Sequence, residues 1–358
     1  MTLLLSNQEV DQALTMPECM AALEDAYREL AAGRGVNRRR SDSLAPTTRP
    51  DALYSLKSMD GIAPALKVGA VRINSDIVAI PGAGGGLRRE KIPAAPGGRW
   101  VGLVLLFSTD TGEPLAIFPD GYLQRLRVGA ANGLAAKRLA RADARKAGLI
   151  GSGWQAGAQV KALMAARPGI TRICCWSPNP DRRRAFAREM SAETGIEITA
   201  VESPEEATRG MDIVLCATNA LEAVFFERWL EPGMHVTSIK QPEIEPAALK
   251  RVDRLVVHVH DAAPEHAAPA GVASPERAPG RGWSALDDLD FAALPTLPDL
   301  LVGKTPGRES PGEITCFINN LGMGYQFAAA GAAVYRNARA RGMGRELPTE
   351  WLTQDVHP

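Results

Sequence analysis

The sequence predicts an α/β fold: a doubly wound parallel sheet joined to a second, discontinuous α+β domain. Three observations predict it. Gly151-Ser-Gly153-Trp154-Gln155-Ala156 follows the apolar run 146–150 and precedes an alanine-rich stretch of helix length. In that setting G-x-G-x-x-(G/A) marks the dinucleotide phosphate turn of a Rossmann unit: the first glycine makes the tight turn, the second lets backbone approach a pyrophosphate, and a small third residue lets helix pack on strand. Strand-length apolar runs then alternate with helical stretches as far as residue 260, the pattern of a parallel sheet covered on both faces. Finally, 145 residues precede Lys146, so a separate unit fills the front of the chain.

Two capping boxes open the chain. Ser6-Asn-Gln-Glu9 starts a short helix, and Thr15-Met-Pro-Glu18 starts a longer one with Met20, Leu23, Tyr27 and Leu30 at helical spacing, stopping at Gly33. Residues 41–119 have strand texture, with runs at 52–56, 65–73 and 100–107; the last continues through Asp110-Thr-Gly112 into 113–118 as a hairpin. Glycine and proline clusters at 81–86 and 93–98 predict a long mobile loop suited to act as a lid. Asp120 stands where it would cap a helix running to about Arg141, dense in small residues that include Gly129 and Gly133. A helical glycine costs about 1 kcal/mol relative to alanine, so another helix or a ligand is expected to approach closely there.

The nucleotide unit follows, with strands expected at 146–150, 171–176, 198–201, 212–217, 234–239 and 254–260, and a capping box, Ser203-Pro-Glu-Glu206, opening one intervening helix. Residues 262–282, rich in Pro, Ala and Gly, predict an irregular surface excursion. Residues 313–318 read as a strand, and 322–340 as a helix returning to the first domain, which makes that domain discontinuous.

Composition narrows the function. With 41 basic and 41 acidic residues the formal net charge is zero, which argues against a nucleic-acid partner held by a basic surface. Arg38-Arg39-Arg40 is a single short run, read as a solvated face or a substrate anchor. Five scattered cysteines with no C-x-x-C pattern read as reduced thiols. No signal peptide and no membrane span is expected, and the expected compartment is the cytoplasm.

In a nucleotide oxidoreductase the protein supplies orientation, charge and a proton. Lys67, read as mid-strand between Leu66 and Val68, is a candidate proton donor or carboxylate partner. Arg127 lies on the small-residue helix just before the nucleotide unit. Arg40 is placed to clamp a carboxylate, with Arg39 close behind by position. The cofactor set is Gly151, Gly153, Trp154, Gln155 and Ala156, with Ser177, Asn179, Arg182 and Thr218. No acidic residue ends the second strand of the unit to take ribose hydroxyls; Ser177 and Asn179 can hydrogen-bond, and Arg182 or Arg183 can meet a 2′-phosphate. NADP(H) is therefore expected over NAD(H), with Asp181 the residue through which NAD(H) is still possible. His258 and His260 alternate on one strand beside Asp261, but no third ligand cluster supports a metal, so none is expected. Ser152 lies in G-S-G-W-Q, not in the G-x-S-x-G of a hydrolase.

Together these residues resemble the ornithine cyclodeaminase/mu-crystallin family, whose pattern is an R-T-A-A helix followed by G-x-G-x-Q-A. Here the helix begins Arg127-Val-Gly-Ala-Ala-Asn, and the turn ends Gly153-Trp-Gln155-Ala156; Pro306-Gly-Arg-Glu-Ser and the C-terminal strand and helix are also similar. The resemblance implies an NAD(P)-dependent enzyme acting on small amino or imino acids. It also implies a homodimer built through a substrate-binding and dimerisation domain formed by residues 1–128 and 314–342, around a dinucleotide domain of 129–313, with 343–358 as a tail. By motif position Lys67 matches the family's active-site lysine, Arg127 the arginine near nicotinamide and substrate, and Arg40 the N-terminal carboxylate-binding arginine. Val128 stands where threonine is usual. The aspartate that cyclodeaminases place after the fifth strand of the unit is missing from Thr237-Ser-Ile-Lys240-Gln-Pro-Glu243, where Lys240 and Glu243 are the available replacements. The expectation is therefore imine reduction or amino-acid dehydrogenation on a small α-imino or α-keto acid. The alternatives are ornithine cyclodeamination and non-catalytic ligand binding of the mu-crystallin kind.

Overall fold

The computed structural model describes residues 1–79, 82–83 and 86–356. The two expected helices form at Asn7–Ala13 and Met16–Ala31, each with both hydrogen bonds of its capping box. Strands Ser41–Pro46, Ala52–Ala63, Val68–Ala79, Val101–Ser108 and Pro114–Pro119 then make an antiparallel meander. It is the centre of a ten-stranded sheet. Along Val68–Ala79 burial alternates strictly: Val68, Ala70, Arg72, Asn74, Asp76 and Val78 face inward. The inner face is thus polar at its middle. The helix Gly324–Ala340 returns and packs on Ala52–Ala63 and Val68–Ala79.

The second sheet has seven strands, all parallel, in the spatial order Glu197–Ala200, Arg172–Trp176, Lys146–Ile150, Ile213–Cys216, His235–Ser238, Thr315–Ile318, Arg254–Val257. This is the Rossmann arrangement, with the order reversing beside the first strand, where ligands bind at the carboxyl ends. Gly129 and Gly133 answer the question the sequence raised: a Cβ on Gly129 would lie 2.7 Å from the carbonyl oxygen of Ala158, and one on Gly133 would lie 3.0 Å from that of Ala162. A neighbouring helix, Trp154–Ala166, is what approaches.

Four expectations change. Strand Thr315–Ile318 inserts between His235–Ser238 and Arg254–Val257, so the chain returns to the first sheet only after it, not at 314. The excursion 262–282 is not wholly irregular: Glu265–Ala267 adds a parallel edge strand to Ser41–Pro46. Asp120 makes no capping bond to the helix Gly121–Leu139, because its carboxylate is taken by Arg72 and Asn74. In the glycine-rich loop, residues 81, 84 and 85 lie outside the described residues, while Glu90–Ile92 pairs with the edge of Val68–Ala79 and residues 87–89 bond to 219–221 of the Rossmann unit.

Candidate active site

The site lies where the inner face of the first sheet meets the carboxyl ends of the parallel strands. The helix Gly121–Leu139 joins the two. Asn132 donates to Thr237 Oγ1 (2.9 Å) and to the Ser238 carbonyl (3.2 Å), and Asn319 donates to Asn132 Oδ1 (2.7 Å). The two sheets are also bridged by the 87–89/219–221 pairing and by Arg39 Nε donating to the Ala263 carbonyl at 2.7 Å, while Gln241 donates to the Ala262 carbonyl at 2.8 Å within the Rossmann unit.

On the nucleotide side, Gly151 has φ of +120°, and a Cβ there would lie 2.2 Å from the Ala217 carbonyl oxygen, so no other residue fits. Gly153 caps the helix Trp154–Ala166 without any side-chain bond, and the space beside its Cα is open to 4 Å. An uncapped, unobstructed helix start is what a pyrophosphate requires. Ala156 is fully buried, as the third small position demands. Ser177 Oγ pairs with Ser152 Oγ at 2.7 Å. Asn179 caps the helix Pro180–Thr194 by accepting from the Arg182 amide at 2.9 Å. Arg183 is committed to Glu202 and to the Ser177 carbonyl, whereas the exposed Arg182 side chain has no partner among the described residues. Trp154 is half exposed and lies edge-on to Tyr122, with Arg125 over its ring at 4.3 Å. Gln155 Nε2 donates to Gln124 Oε1 at 2.7 Å. That bond ties the phosphate turn to the helix bearing Arg127, one turn further along.

Arg127 is 6% exposed. Its Nη1 donates to Gln326 Oε1 at 3.0 Å, its Nε has no partner, and no carboxylate pairs with it among the described residues. Burial first, then the nearby Arg72, pushes its pKa down to about 9, which leaves it charged at neutral pH. Phe327 separates the two guanidiniums, 5.2 Å from Arg127 and 5.5 Å from Arg72. Arg72 is neutralised by Asp120 at 2.6 Å. Arg127 is therefore a buried cation with no counter-ion among the described residues, a state that is strongly disfavoured unless an anion pairs with it.

The other two cations expected here stand differently. Lys67 is not mid-strand. Pro64 ends the strand Ala52–Ala63, a 3-10 turn follows over Pro64–Leu66, and Lys67 takes a left-handed conformation at φ of 56°. Its ammonium is exposed and pairs with Asp110 at 2.7 Å, which raises its pKa first by that hydrogen bond. Lys67 thus sits in the hairpin connection, outside the cleft. Arg40 is at the site, but its fork already holds Asp42 at 2.7 and 2.6 Å, and it lies over Trp283 at 5.0 Å.

The sequence reading missed Lys57. It is 5% exposed on the inner face of Ala52–Ala63. The rows of the sheet set it between Asp42 and Asn74, with His266 beyond Asp42. Burial, then Arg89, pushes its pKa well down. The signal was parity: Lys57 is two residues from Ser55 and two from Met59, both buried. Glu276, from the 262–282 excursion, completes this wall; burial opposes its charge, but Arg89, Lys57, Arg40 and Lys240 together hold its carboxyl below the ordinary value. Across the cleft, Glu243 is not free. It accepts from the Thr218 amide (2.6 Å), Thr218 Oγ1 (2.7 Å) and the Ile239 amide (2.9 Å), and burial raises its pKa. Thr218 is thereby fixed at the strand end. Lys240 is half-buried and has Glu243, Glu276 and Arg89 as its charged neighbours. His258 is buried between the Tyr27 hydroxyl and the Leu321 carbonyl, each 2.7 Å away, and does not face a ligand.

Comparison with known proteins agrees with this geometry. A family model described as the ornithine cyclodeaminase/mu-crystallin family matches residues 93–342. Delta(1)-pyrroline-2-carboxylate reductase of Bacillus cereus is 30% identical over 251 residues, covering 69% of this chain and 74% of that protein. Among solved structures, Delta(1)-pyrroline-2-carboxylate reductase of Thermococcus litoralis, in complex with NADH and L-proline, superimposes with a TM-score of 0.77 at 26% identity, over 97% of this chain and 100% of that one. An archaeal alanine dehydrogenase dimer with bound NAD superimposes with a TM-score of 0.76 at 25% identity, over 97% and 99%.

Proposed function

The chain belongs to the ornithine cyclodeaminase/mu-crystallin family, and we propose that within it this protein is a nicotinamide-dependent reductase of small α-imino acids, able to run in reverse as an amino-acid dehydrogenase. The observation that carries the reading is Arg127, a buried guanidinium with an orphaned Nε, linked through Gln124 and Gln155 to the dinucleotide turn. Arg127 holds the substrate carboxylate by a charge-assisted pair in a site of low dielectric. Gln326 fixes the guanidinium, accepting from it at 3.0 Å while donating to the Tyr27 hydroxyl at 2.8 Å. The open helix start at Gly153 and the Gly151 turn receive the pyrophosphate. The bound nicotinamide supplies the hydride. An imine that arrives as the iminium cation needs no protein acid: hydride addition at carbon leaves a neutral amine, which takes its proton from water. The chain's part is orientation and exclusion of water.

The free side chain of Arg182, and Ser177 where an acid would take ribose hydroxyls, support NADP(H) over NAD(H). The outer face of the ten-stranded sheet supports a homodimer. Leu56, Val101 and Leu103 are exposed there on adjacent rows, with Ile62 nearby, an apolar surface that a second copy would cover. The cyclodeaminase alternative asks for a carboxylate free to activate an amine; Glu243 is held by backbone and by Thr218 instead. The test is absorbance of NADPH at saturating cofactor with piperideine-2-carboxylate and pyrroline-2-carboxylate, or with keto acid plus amine. Consumption supports the reading. Ammonia release from ornithine without net cofactor turnover, or no consumption with cofactor demonstrably bound, overturns it.

A further inference from the structure

Four hydrogen bonds join His258 to the Arg127 guanidinium. Arg127 Nη1 lies 3.0 Å from Gln326 Oε1, Gln326 Nε2 lies 2.8 Å from the Tyr27 hydroxyl, that hydroxyl lies 2.7 Å from His258 Nε2, and His258 Nδ1 lies 2.7 Å from the Leu321 carbonyl oxygen. Tyr27, His258 and Gln326 are fully buried. The two ends fix the sense of the chain, because a guanidinium only donates and a carbonyl only accepts. Arg127 therefore donates to Gln326 Oε1, which also accepts from the Met323 amide at 3.2 Å. At the other end Nδ1 carries the imidazole proton and gives it to Leu321, so Nε2 is the acceptor and takes the proton of Tyr27. Tyr27 in turn accepts from Gln326 Nε2. Every donor then meets an acceptor, as a buried network requires. Burial pushes the His258 pKa down to about 3, which keeps Nε2 unprotonated at neutral pH.

We propose that His258 is a positioning residue for Arg127: by accepting the Tyr27 proton it keeps the Gln326 amide turned with its oxygen toward the guanidinium. This rests on the reading of Arg127 as the carboxylate partner of the substrate. Without His258 Nε2, the Tyr27 proton has one acceptor left among the described residues, the oxygen of the Gln326 amide. Turning the amide to meet it sets the NH2 group against Arg127 Nη1 and the Met323 amide, two contacts of donor with donor. The guanidinium must then shift, and one side is closed to it: a Cβ on Gly322 would lie 2.5 Å from Arg127 Nη1 and 2.8 Å from Nη2. The segment that closes that side also carries the Leu321 carbonyl. It is tied to His258 a second time through Asn320 Oδ1, which accepts from the His258 amide at 3.0 Å and the Val259 amide at 3.2 Å. The loops after Arg254–Val257 and Thr315–Ile318 are thus locked together beside the guanidinium.

The experiment measures NADPH oxidation with pyrroline-2-carboxylate in the wild type, in His258→Leu and in the double variant Tyr27→Phe/His258→Leu, with a thermal melt of each. His258→Leu should raise the KM for the imino acid by about tenfold, as misplacing a binding group does. Its kcat and its KM for NADPH should stay within about twofold, because the carboxylate bond is made equally in ground state and transition state. Removing the Tyr27 hydroxyl as well removes the proton that turns the amide, and Gln326 Nε2 keeps the Arg127 carbonyl at 3.4 Å. The double variant should therefore return to within about threefold of the wild-type KM. A packing role predicts the opposite, a second loss added to the first. An unchanged KM in His258→Leu, or no recovery in the double variant, overturns the positioning role and leaves the reductase reading standing. If the wild type reduces no imine, the reductase reading fails. In that case, or if His258→Leu does not fold, the sense of the chain decides, read by nitrogen NMR of the five imidazoles with His258 assigned by replacing the other histidines in turn. A proton on Nδ1 with Nε2 bare supports the proposal; a proton on Nε2 overturns it.

Discussion

Replacing Arg127 by methionine separates a ligand-binding charge from a structural one. Among the described residues the guanidinium makes a single hydrogen bond, 3.0 Å to Gln326 Oε1, and its Nε has none. Gln326 does not become an orphan when that bond is lost, because its Oε1 also accepts from the Met323 amide at 3.2 Å and its Nε2 keeps the Tyr27 hydroxyl. What disappears is one hydrogen bond worth about 1.5–3 kcal/mol and a stacking contact with Phe327 worth about 1 kcal/mol. Against this, a charge with no counter-ion is removed from the interior, where the effective penalty is several kcal/mol. The two sides nearly cancel, so the variant should melt within a few degrees of the wild type, or above it. Catalysis should respond quite differently. Losing one partner of a buried carboxylate pair costs about 2–5 kcal/mol, a fall in kcat/KM of roughly thirtyfold to several thousandfold. Lysine at the same position should recover part of it, as a point charge without the fork. The assay is steady-state NADPH oxidation beside a thermal melt of the same preparation. A variant that loses several kcal/mol of stability while keeping its kcat/KM would refute the assignment, because Arg127 would then be holding the fold and not the substrate.

The remaining predictions concern the cofactor, the turn and pH. Arg182→Ala should raise the KM for NADPH by about tenfold and leave that for NADH within twofold or so; equal effects on both would remove Arg182 from the 2′ position. Gly151→Ala should abolish cofactor binding, since its Cβ would sit 2.2 Å from the Ala217 carbonyl oxygen at a φ of +120°; a soluble variant that still binds NADPH in a fluorescence titration would contradict this. His235 and His258 are both neutral in the fold, their pKa values pushed by burial to about 3 from an ordinary 6.5. A base with a depressed folded pKa contributes stability that is intact above pH 6.5 and is lost as pH falls toward 3. Denaturant unfolding at pH 5.5 should therefore give roughly 3 kcal/mol less stability than at pH 7.5, and His235→Gln should halve the difference.

What the sequence made legible was local. The phosphate turn at Gly151, the capping boxes at Ser6 and Thr15 and the strands of the nucleotide unit each depend on a few neighbouring residues, and each forms where its pattern falls. What it concealed depends on pairing across the chain. Lys67 lay in an apolar run, but the 3-10 turn over Pro64–Leu66 takes the start of that run, and the lysine ends the turn before the strand begins at Val68. Lys57 carried the better signal, an inward parity between Ser55 and Met59, and became meaningful only when Asp42 and Asn74 were set beside it by register. Asp120 matched a helix cap until Arg72 and Asn74, some 46 to 48 residues earlier, proved to claim it. Residues 265–267, read as part of an irregular excursion, are a strand because Ser41–Pro46 offers them an edge, and Glu276 reaches Arg89 from the same excursion.

The central claim is that hydride passes to an imine carbon held by Arg127. Deuterium at C4 of NADPH tests it most directly, with the product amino acid analysed by mass spectrometry. The account predicts one deuterium on the α-carbon from one of the two C4 epimers and none from the other, with the yield lost in Arg127→Met. Product without label from either epimer, or label retained in the nicotinamide while ornithine is converted to proline and ammonia, would contradict it.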